Sequence, residues 1–243
     1  LLNISGVRLF NSLNLTMSLV SSGGFLPSDS LKEIIITNFQ KIILIFTLIF
    51  SMLNFYFLFN ILNKRVLLKS HNEDFYLLGF AALFVLLIYF NDFKALDIII
   101  SVLSSLTNSG ITLLETNNNL SLYFLLLTIV GGSLISNTSG IKLSRFYILL
   151  KITAAETIKL TSPNSVINKT IFNSENKINE DNVKISFLIF ISFFFSLFIL
   201  SSFLILDNIG FEGSFKLSIL TLTNTVNSEM YSLQDLNFAN LLT

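Results

Sequence analysis

The sequence predicts an all-α integral membrane protein built of repeated units, each a long helix, a half-length helix, a loop and a second long helix. Three observations carry that prediction. Of 243 residues, 52% are hydrophobic and 12% charged, whereas a soluble domain carries about 25% charged residues; the mean hydropathy is +0.74. Uncharged apolar runs recur at lengths near the roughly 20 residues that a helix needs to cross a hydrocarbon core. Between them lie shorter stretches rich in Ser, Thr and Leu, each running into a small-residue turn.

The long runs are residues 42–62, 75–90, 121–136 and 185–206. None shows the period-two alternation of a transmembrane barrel strand. The short stretches are RLFNSLNLTMSLVSSGGF (8–25), ALDIIISVLSSLTNSGI (95–111) and SFKLSILTLTNTVNS (214–228). Each is too short and too polar to face lipid throughout, and irregular backbone at membrane depth persists only where protein buries it or it lines water. A half-helix ending in a loop is therefore expected in each. Aligned by their ends, VSSGGF, LTNSGI and TVNSEM form an internal repeat, stretched only by a polar linker. The units so delimited are residues 1–70, 71–160 and 185–243, with the linker at 161–184.

Basic residues set the topology. Lys64, Arg65 and Lys69 fall in the connector 63–72, and Lys142, Arg145, Lys151, Lys159, Lys169, Lys177 and Lys184 fall in 141–184, so both are expected on the cytoplasmic side. The three turns then face outward beneath a mildly acidic rim that includes Asp97 and Glu212. Net charge is zero, which leaves no basic footprint for nucleic acid. With no cysteine, disulfides and thiolate metal sites are excluded. The single histidine, His71, lies in the polar stretch KSHNED without a second metal-ligand type beside it, and is expected to be a solvated loop residue. The chain opens on Leu1 and reads as part of a longer protein.

A dehydrated cation needs oxygen ligands in place of its water shell, and rings of backbone carbonyls supply them. The turns are candidates for such a filter: Val20, Ser21, Ser22, Gly23 and Gly24 in the first, Thr107, Asn108, Ser109 and Gly110 in the second, Thr225, Val226 and Asn227 in the third. One Ser/Gly turn would be an ordinary connection between helices. Three, each behind a half-helix on the same expected side, favour the filter.

The run IVGGSLISNTSGIKLSRFYILLK (129–151) resembles the interrupted inner helix of the third repeat in TrkH/KtrB-type potassium uptake proteins (the Trk/Ktr/HKT family). Gly131, Gly132, Thr138, Gly140, Ile141, Lys142 and Arg145 match its motif. VSSGGF and LTNSGI resemble the second and third filters, and the Asn54–Phe55 pair resembles the second inner helix. The resemblance implies helix–pore-helix–helix repeats arranged with pseudo-fourfold symmetry around one ion pore. This chain would run as a fragment from the second pore helix to the fourth pore loop. It further implies K+ at the filter residues and no covalently bound cofactor. A gating loop is implied at Gly131, Gly132, Ser133, Ser136, Asn137, Thr138, Ser139, Gly140 and Lys142, with Lys142 and Arg145 marking the cytoplasmic exit. The complete protein is then expected to be a homodimer in the bilayer of a bacterial inner membrane, docked by a cytoplasmic nucleotide-binding regulatory subunit.

Two segments depart from the family pattern. The glycine of the family's fourth turn, which is the third turn of this chain and is called the fourth turn from here on, is replaced by Asn227 or, on a shifted alignment, by Val226. Ser136, Asn137 and Ser139 stand where the gating segment commonly has Gly and Ser-Thr-Ala-Gly. A secondary transporter with discontinuous helices is the alternative. It would usually carry an intramembrane charge, and the four long runs hold none. A scaffold has no need of repeated interrupted spans, and an enzyme is disfavoured because the sequence offers no nucleophile–base pair, metal cluster or phosphate loop.

Overall fold

The computed structural model describes residues 1–28, 30–63, 71–90, 93–114, 118–162, 170–172, 177–206 and 209–225. Val226 and Asn227, the basic connector residues Lys64, Arg65 and Lys69, and most of the linker lie outside them. The regular structure among the described residues is α-helical, apart from a single antiparallel bridge between Thr170 and Lys177.

The three short stretches become helices of equal length: α1 (Leu9–Val20), α6 (Ala95–Leu106) and α10 (Phe211–Leu222), each of 12 residues. At 1.5 Å per residue each is about 18 Å long, roughly half the membrane. Their hydroxyls are tolerated because they bond back along the helix: Thr16 donates to the Ser12 carbonyl at 2.6 Å, Ser105 to Ser101 at 3.0 Å, and Ser218 to Ser214 at 2.7 Å. Such bonds satisfy a side chain that water cannot reach.

Between them run the long elements. A four-residue turn of helix, α2 (Leu31–Ile34), precedes α3 (Asn38–Met52), which starts at a capping box. Thr37 accepts from the Gln40 amide while Gln40 Oε1 accepts from Thr37 and Ile36. Then come α4 (Phe55–Leu62), α5 (Asn72–Tyr89), α7 (Asn118–Val130), α8 (Leu143–Thr161) and α9 (Glu180–Leu206). By length and composition α5 and α9 can each cross a membrane, and α3 with α4 makes a third candidate if taken as one bent span. The 27 residues of α9 are about 40 Å long and bury only Ser186, Leu197 and Ser201, leaving Phe187, Phe195, Phe198 and Phe203 exposed as a lipid-facing surface requires. This is a multi-pass, all-α membrane protein.

Helix α6 is the centre. It packs on α3, α5 and α7, and its residues Ile98 and Ile100 to Leu106 are buried. Leu44, Leu48 and Met52 of α3, Leu77 and Ile88 of α5, and Phe124 and Leu127 of α7 close around it. Helix α10 lies against α9 and α7, with Ser201 donating to Ser218 at 3.0 Å across the α9–α10 contact.

Three features differ from the sequence expectation. The run 42–62 is not one helix: it bends by 110° between Met52 and Phe55. No proline is involved; Leu53 and Asn54 take extended backbone and the Asn54 side chain caps α4 by accepting from the Tyr56 amide at 2.9 Å. Residues from Leu143 onward, which composition alone marks as the start of a polar stretch, form the 19-residue helix α8, docked on α9 and α5. His71 is not solvated but 5% exposed, its ring tilted against Phe57 with centroids 4.9 Å apart and bonded through Nε2 to Asn60 at 3.0 Å.

Candidate functional site

The three half-helices end in one and the same cap. In each, a carbonyl of the last helical turn accepts from the amide five residues on, with Gly23 donating to Ser18, Ser109 to Ser104 and Thr225 to Leu220 at 2.8–3.0 Å. A tighter bond nests inside each: Ser22 to Leu19, Asn108 to Ser105 and Asn224 to Thr221, at 3.1–3.3 Å. This is the Schellman arrangement, whose pivot must be left-handed. The pivots are Ser22, Asn108 and Asn224, with φ of 55°, 58° and 55°. Gly24 and Gly110 turn left-handed again two residues on, at 69° and 65°.

These caps fix the register of the repeat. Ser22, Asn108 and Asn224 are equivalent, so LTNTVN, not TVNSEM, is the partner of VSSGGF and LTNSGI. Alignment by the segment ends differs from this register by three residues, because it pairs Ser and Asn letters and not the left-handed pivot. Thr223 and Asn224 thus join the fourth turn, and counting on from Thr225 puts Val226 at the glycine position. The hydroxyls repeat as well: Thr107 pairs with Ser109 at 3.0 Å and Thr223 with Thr225 at 2.9 Å. The first turn has Gly23 there and lacks that clasp. In the second turn Ser104 Oγ also accepts from the Ile111 amide at 2.7 Å, and Thr107, Asn108 and Ser109 are wholly buried.

Residues 131–142 leave helix geometry between α7 and α8. Gly131 and Gly140 have φ of 69° and 84°. A Cβ on Gly131 would stand 2.2 Å from the Ser139 carbonyl oxygen, and one on Gly140 would stand 2.8 Å from the carbonyls of Thr128 and Ile129. The loop is closed at its neck by Ile141 donating to Ile129 and Lys142 to Val130, both at 2.9 Å. It reaches two of the turns. Asn137 Nδ2 donates to the Val20 carbonyl at 3.0 Å, and Asn108 Nδ2 donates to Thr128 beside the neck at 2.9 Å. Lys142 is folded inward and 8% exposed, its ammonium held by Ser136 and Thr138.

The loop and the α3–α4 bend are stitched together. Ser133 donates to the Met52 carbonyl at 3.1 Å, and Phe55 donates to the Ile135 carbonyl at 2.9 Å. Two carboxylates from the first turn of α5 complete the seam. Asp74 Oδ1 accepts from the Asn54 amide at 2.8 Å, and Glu73 Oε1 accepts from the Leu134 amide at 2.7 Å. Each carboxylate takes up a backbone N–H that a break has freed. His71 Nδ1 lies 3.8 Å from Asp74 Oδ2, on the same seam. The long runs themselves hold no acidic residue, but Glu73 and Asp74 stand just before one of them and reach both broken helices. The sequence signal was available: a carboxylate pair heading a span has two orphan-donor sites to serve wherever two helices are interrupted.

Of the expected acidic rim, Asp97 is paired with Lys41 at 2.5 Å and the exposed Glu212 with Lys216 at 2.7 Å.

Half-helices with identical left-handed caps, packed beside a helix broken in the middle, are an arrangement with a known counterpart. The structure is similar to the crystal structure of the potassium transporter TrkH from Vibrio parahaemolyticus, with a TM-score of 0.82 over 91% of this chain and 51% of that one, at 18% identity. The fold is that of TrkH. In sequence, the chain is 30% identical over 173 residues to an uncharacterized cation transporter of Methanocaldococcus jannaschii, covering 69% of this chain and 35% of that protein. No protein-family model matches. The chain thus spans about half the length of TrkH and about a third of the archaeal relative. Among the described residues, Val20 to Gly24, Thr107 to Gly110 and Thr225 occupy the caps of half-helices, and the expected gating residues form the loop between α7 and α8.

Proposed function

We propose that the chain is the part of a Trk/Ktr/HKT-type transporter that conducts K+, with the three caps contributing carbonyls to a selectivity filter and residues 131–142 acting as the gate. The observation that carries this reading is the threefold repetition of one left-handed cap on three half-length helices, within a TrkH fold. Helix C-termini carry about half a negative charge each, so three of them gathered around one pore would favour a cation without any acidic side chain. The bond from Asn137 to the Val20 carbonyl ties gate to filter directly. The glycine position of the fourth turn then holds Val226, a β-branched residue for which left-handed backbone is costly. Discrimination between K+ and Na+ is therefore expected to rest chiefly on the other turns. The same reading places the complete protein in a bacterial inner membrane as a homodimer with a nucleotide-binding regulatory subunit on its cytoplasmic face.

The test is made on the complete gene product in cells stripped of their own potassium uptake. Growth at limiting potassium and rubidium uptake are recorded for the wild type and for Gly110→Ser. Gly110 has φ of 65°, where a side chain strains the turn. Rescue by the wild type, with loss of uptake or relaxed K+/Na+ discrimination in the variant, is the expected result. Absence of cation uptake in the wild type would move the secondary-transporter reading to the front.

A further inference from the structure

The interrupted helix holds a lysine ammonium in a cage of oxygens. Lys142 Nζ donates to the Ser136 carbonyl and to Ser136 Oγ, both at 3.2 Å, to Thr138 Oγ1 at 2.9 Å, and to the Thr138 carbonyl. Ser136 and Thr138 each contribute a carbonyl and a hydroxyl. The hydroxyl protons are accounted for by elimination. Ser136 Oγ donates to the Ser133 carbonyl at 2.8 Å, and Thr138 Oγ1 already accepts from the Gly132 amide at 3.0 Å. The remaining Ser136–Thr138 hydroxyl contact, at 2.8 Å, must then carry the Thr138 proton toward Ser136. Both hydroxyls turn lone pairs, not protons, toward the ammonium. The cage is therefore electronegative by wiring, four oxygens around one monovalent cation.

An ammonium and a dehydrated potassium ion ask for similar surroundings, several neutral oxygens at about 3 Å. We propose that Ser136 and Thr138 form a monovalent-cation site inside the gate, that the Lys142 ammonium is its tethered occupant in the closed loop, and that conduction requires this ammonium to withdraw. The proposal rests on the gate reading above. The ammonium carries the permeating ion's own sign of charge, so the two compete for the same four oxygens. The lysine also sits where the loop rejoins α8: its own amide closes the neck on Val130 while its ammonium grips the loop's far side. Withdrawal of one side chain thus loosens the whole loop.

The experiment removes the tether and returns the cation. Lys142→Ala leaves a methyl group, and free propylammonium supplies the missing three carbons and the ammonium. On the purified complete protein in detergent, propylammonium chloride is expected to raise the melting temperature of Lys142→Ala above that in equal sodium chloride, and to leave the wild type unmoved. In cells, Lys142→Met is expected to raise rubidium uptake several-fold with Rb+/Na+ discrimination unchanged, because no filter turn is altered. Should the Met variant fail to reach the membrane, Thr138→Val, which keeps the shape and removes the hydroxyl ligand, is expected to raise uptake in the same way. Equal propylammonium shifts in variant and wild type would overturn the cage. Unchanged uptake in Lys142→Met or Thr138→Val would overturn its role in gating. The melting experiment needs no transport, so its failure is distinguishable from failure of the transporter reading.

Discussion

Replacing Gly131 by alanine tests the closed loop where the structure is least forgiving. The new Cβ would lie 2.2 Å from the Ser139 carbonyl oxygen, a backbone atom that must retreat by more than 1 Å to reach ordinary contact. Left-handed backbone at φ of 69° adds about 1–2 kcal/mol for a residue with a Cβ. Moving Ser139 pulls on Gly140 and Ile141, and loss of the adjoining Ile141–Ile129 bond would add about 1 kcal/mol. Together the closed loop loses about 3 kcal/mol, a roughly hundredfold shift in its equilibrium with open forms. Gly79→Ala is the control. Gly79 sits inside α5 with nothing within 4 Å of the added Cβ, so alanine is expected to stabilise the helix by up to about 1 kcal/mol. Thermal unfolding in detergent and rubidium uptake by the complete gene product give the two readouts. Gly131→Ala is expected to melt lower and to take up rubidium faster, and Gly79→Ala to melt no lower than wild type. If Gly131→Ala melted and transported like the wild type, the strain argument would be wrong. Lower melting with lower uptake would keep the strain and refute the gate.

Two further perturbations address the seam and the link to the filter. Asp74→Ala leaves the half-buried Asn54 amide without its acceptor, a loss of about 1 kcal/mol, whereas Asp74→Asn keeps an oxygen there and should cost less; equal melting of the two variants would contradict the acceptor role. Asn137→Ala frees the Val20 carbonyl and is expected to change Rb+/Na+ discrimination severalfold with the Lys142 cage intact, and unaltered discrimination would sever gate from filter.

Much of the architecture was readable because lipid imposes simple rules on sequence. Apolar length separates full spans from half-helices, and the short Ser/Thr-rich stretches ending in SSGG and TNSG could not have been spans. The GGSLISNTSG segment announced its own break, since two glycines and a run of small polar residues cannot continue an apolar helix in lipid. The bend at Leu53–Asn54 left no such mark. Its run is as apolar as any other, and what stabilises the break is distant in sequence: Asp74, Ser133 and Ile135 accept or supply the freed backbone bonds. The fourth turn went astray for a related reason. Letters align TVNSEM with LTNSGI, but the shared property is a left-handed pivot, and asparagine adopts it at Asn224 as readily as at Asn108.

The sequence by itself determined the solvent, the helical class and the places where spans are too short or too polar to be whole, because each follows from local hydrophobicity and backbone satisfaction. Only the tertiary structure decided which freed amide meets which partner. That matching brought His71 inside, turned Glu73 and Asp74 into the seam between two broken helices, and folded Lys142 back into an oxygen cage. The physical reason is that a buried charge or orphan donor must find its complement somewhere in three dimensions, and distance along the chain places no limit on where.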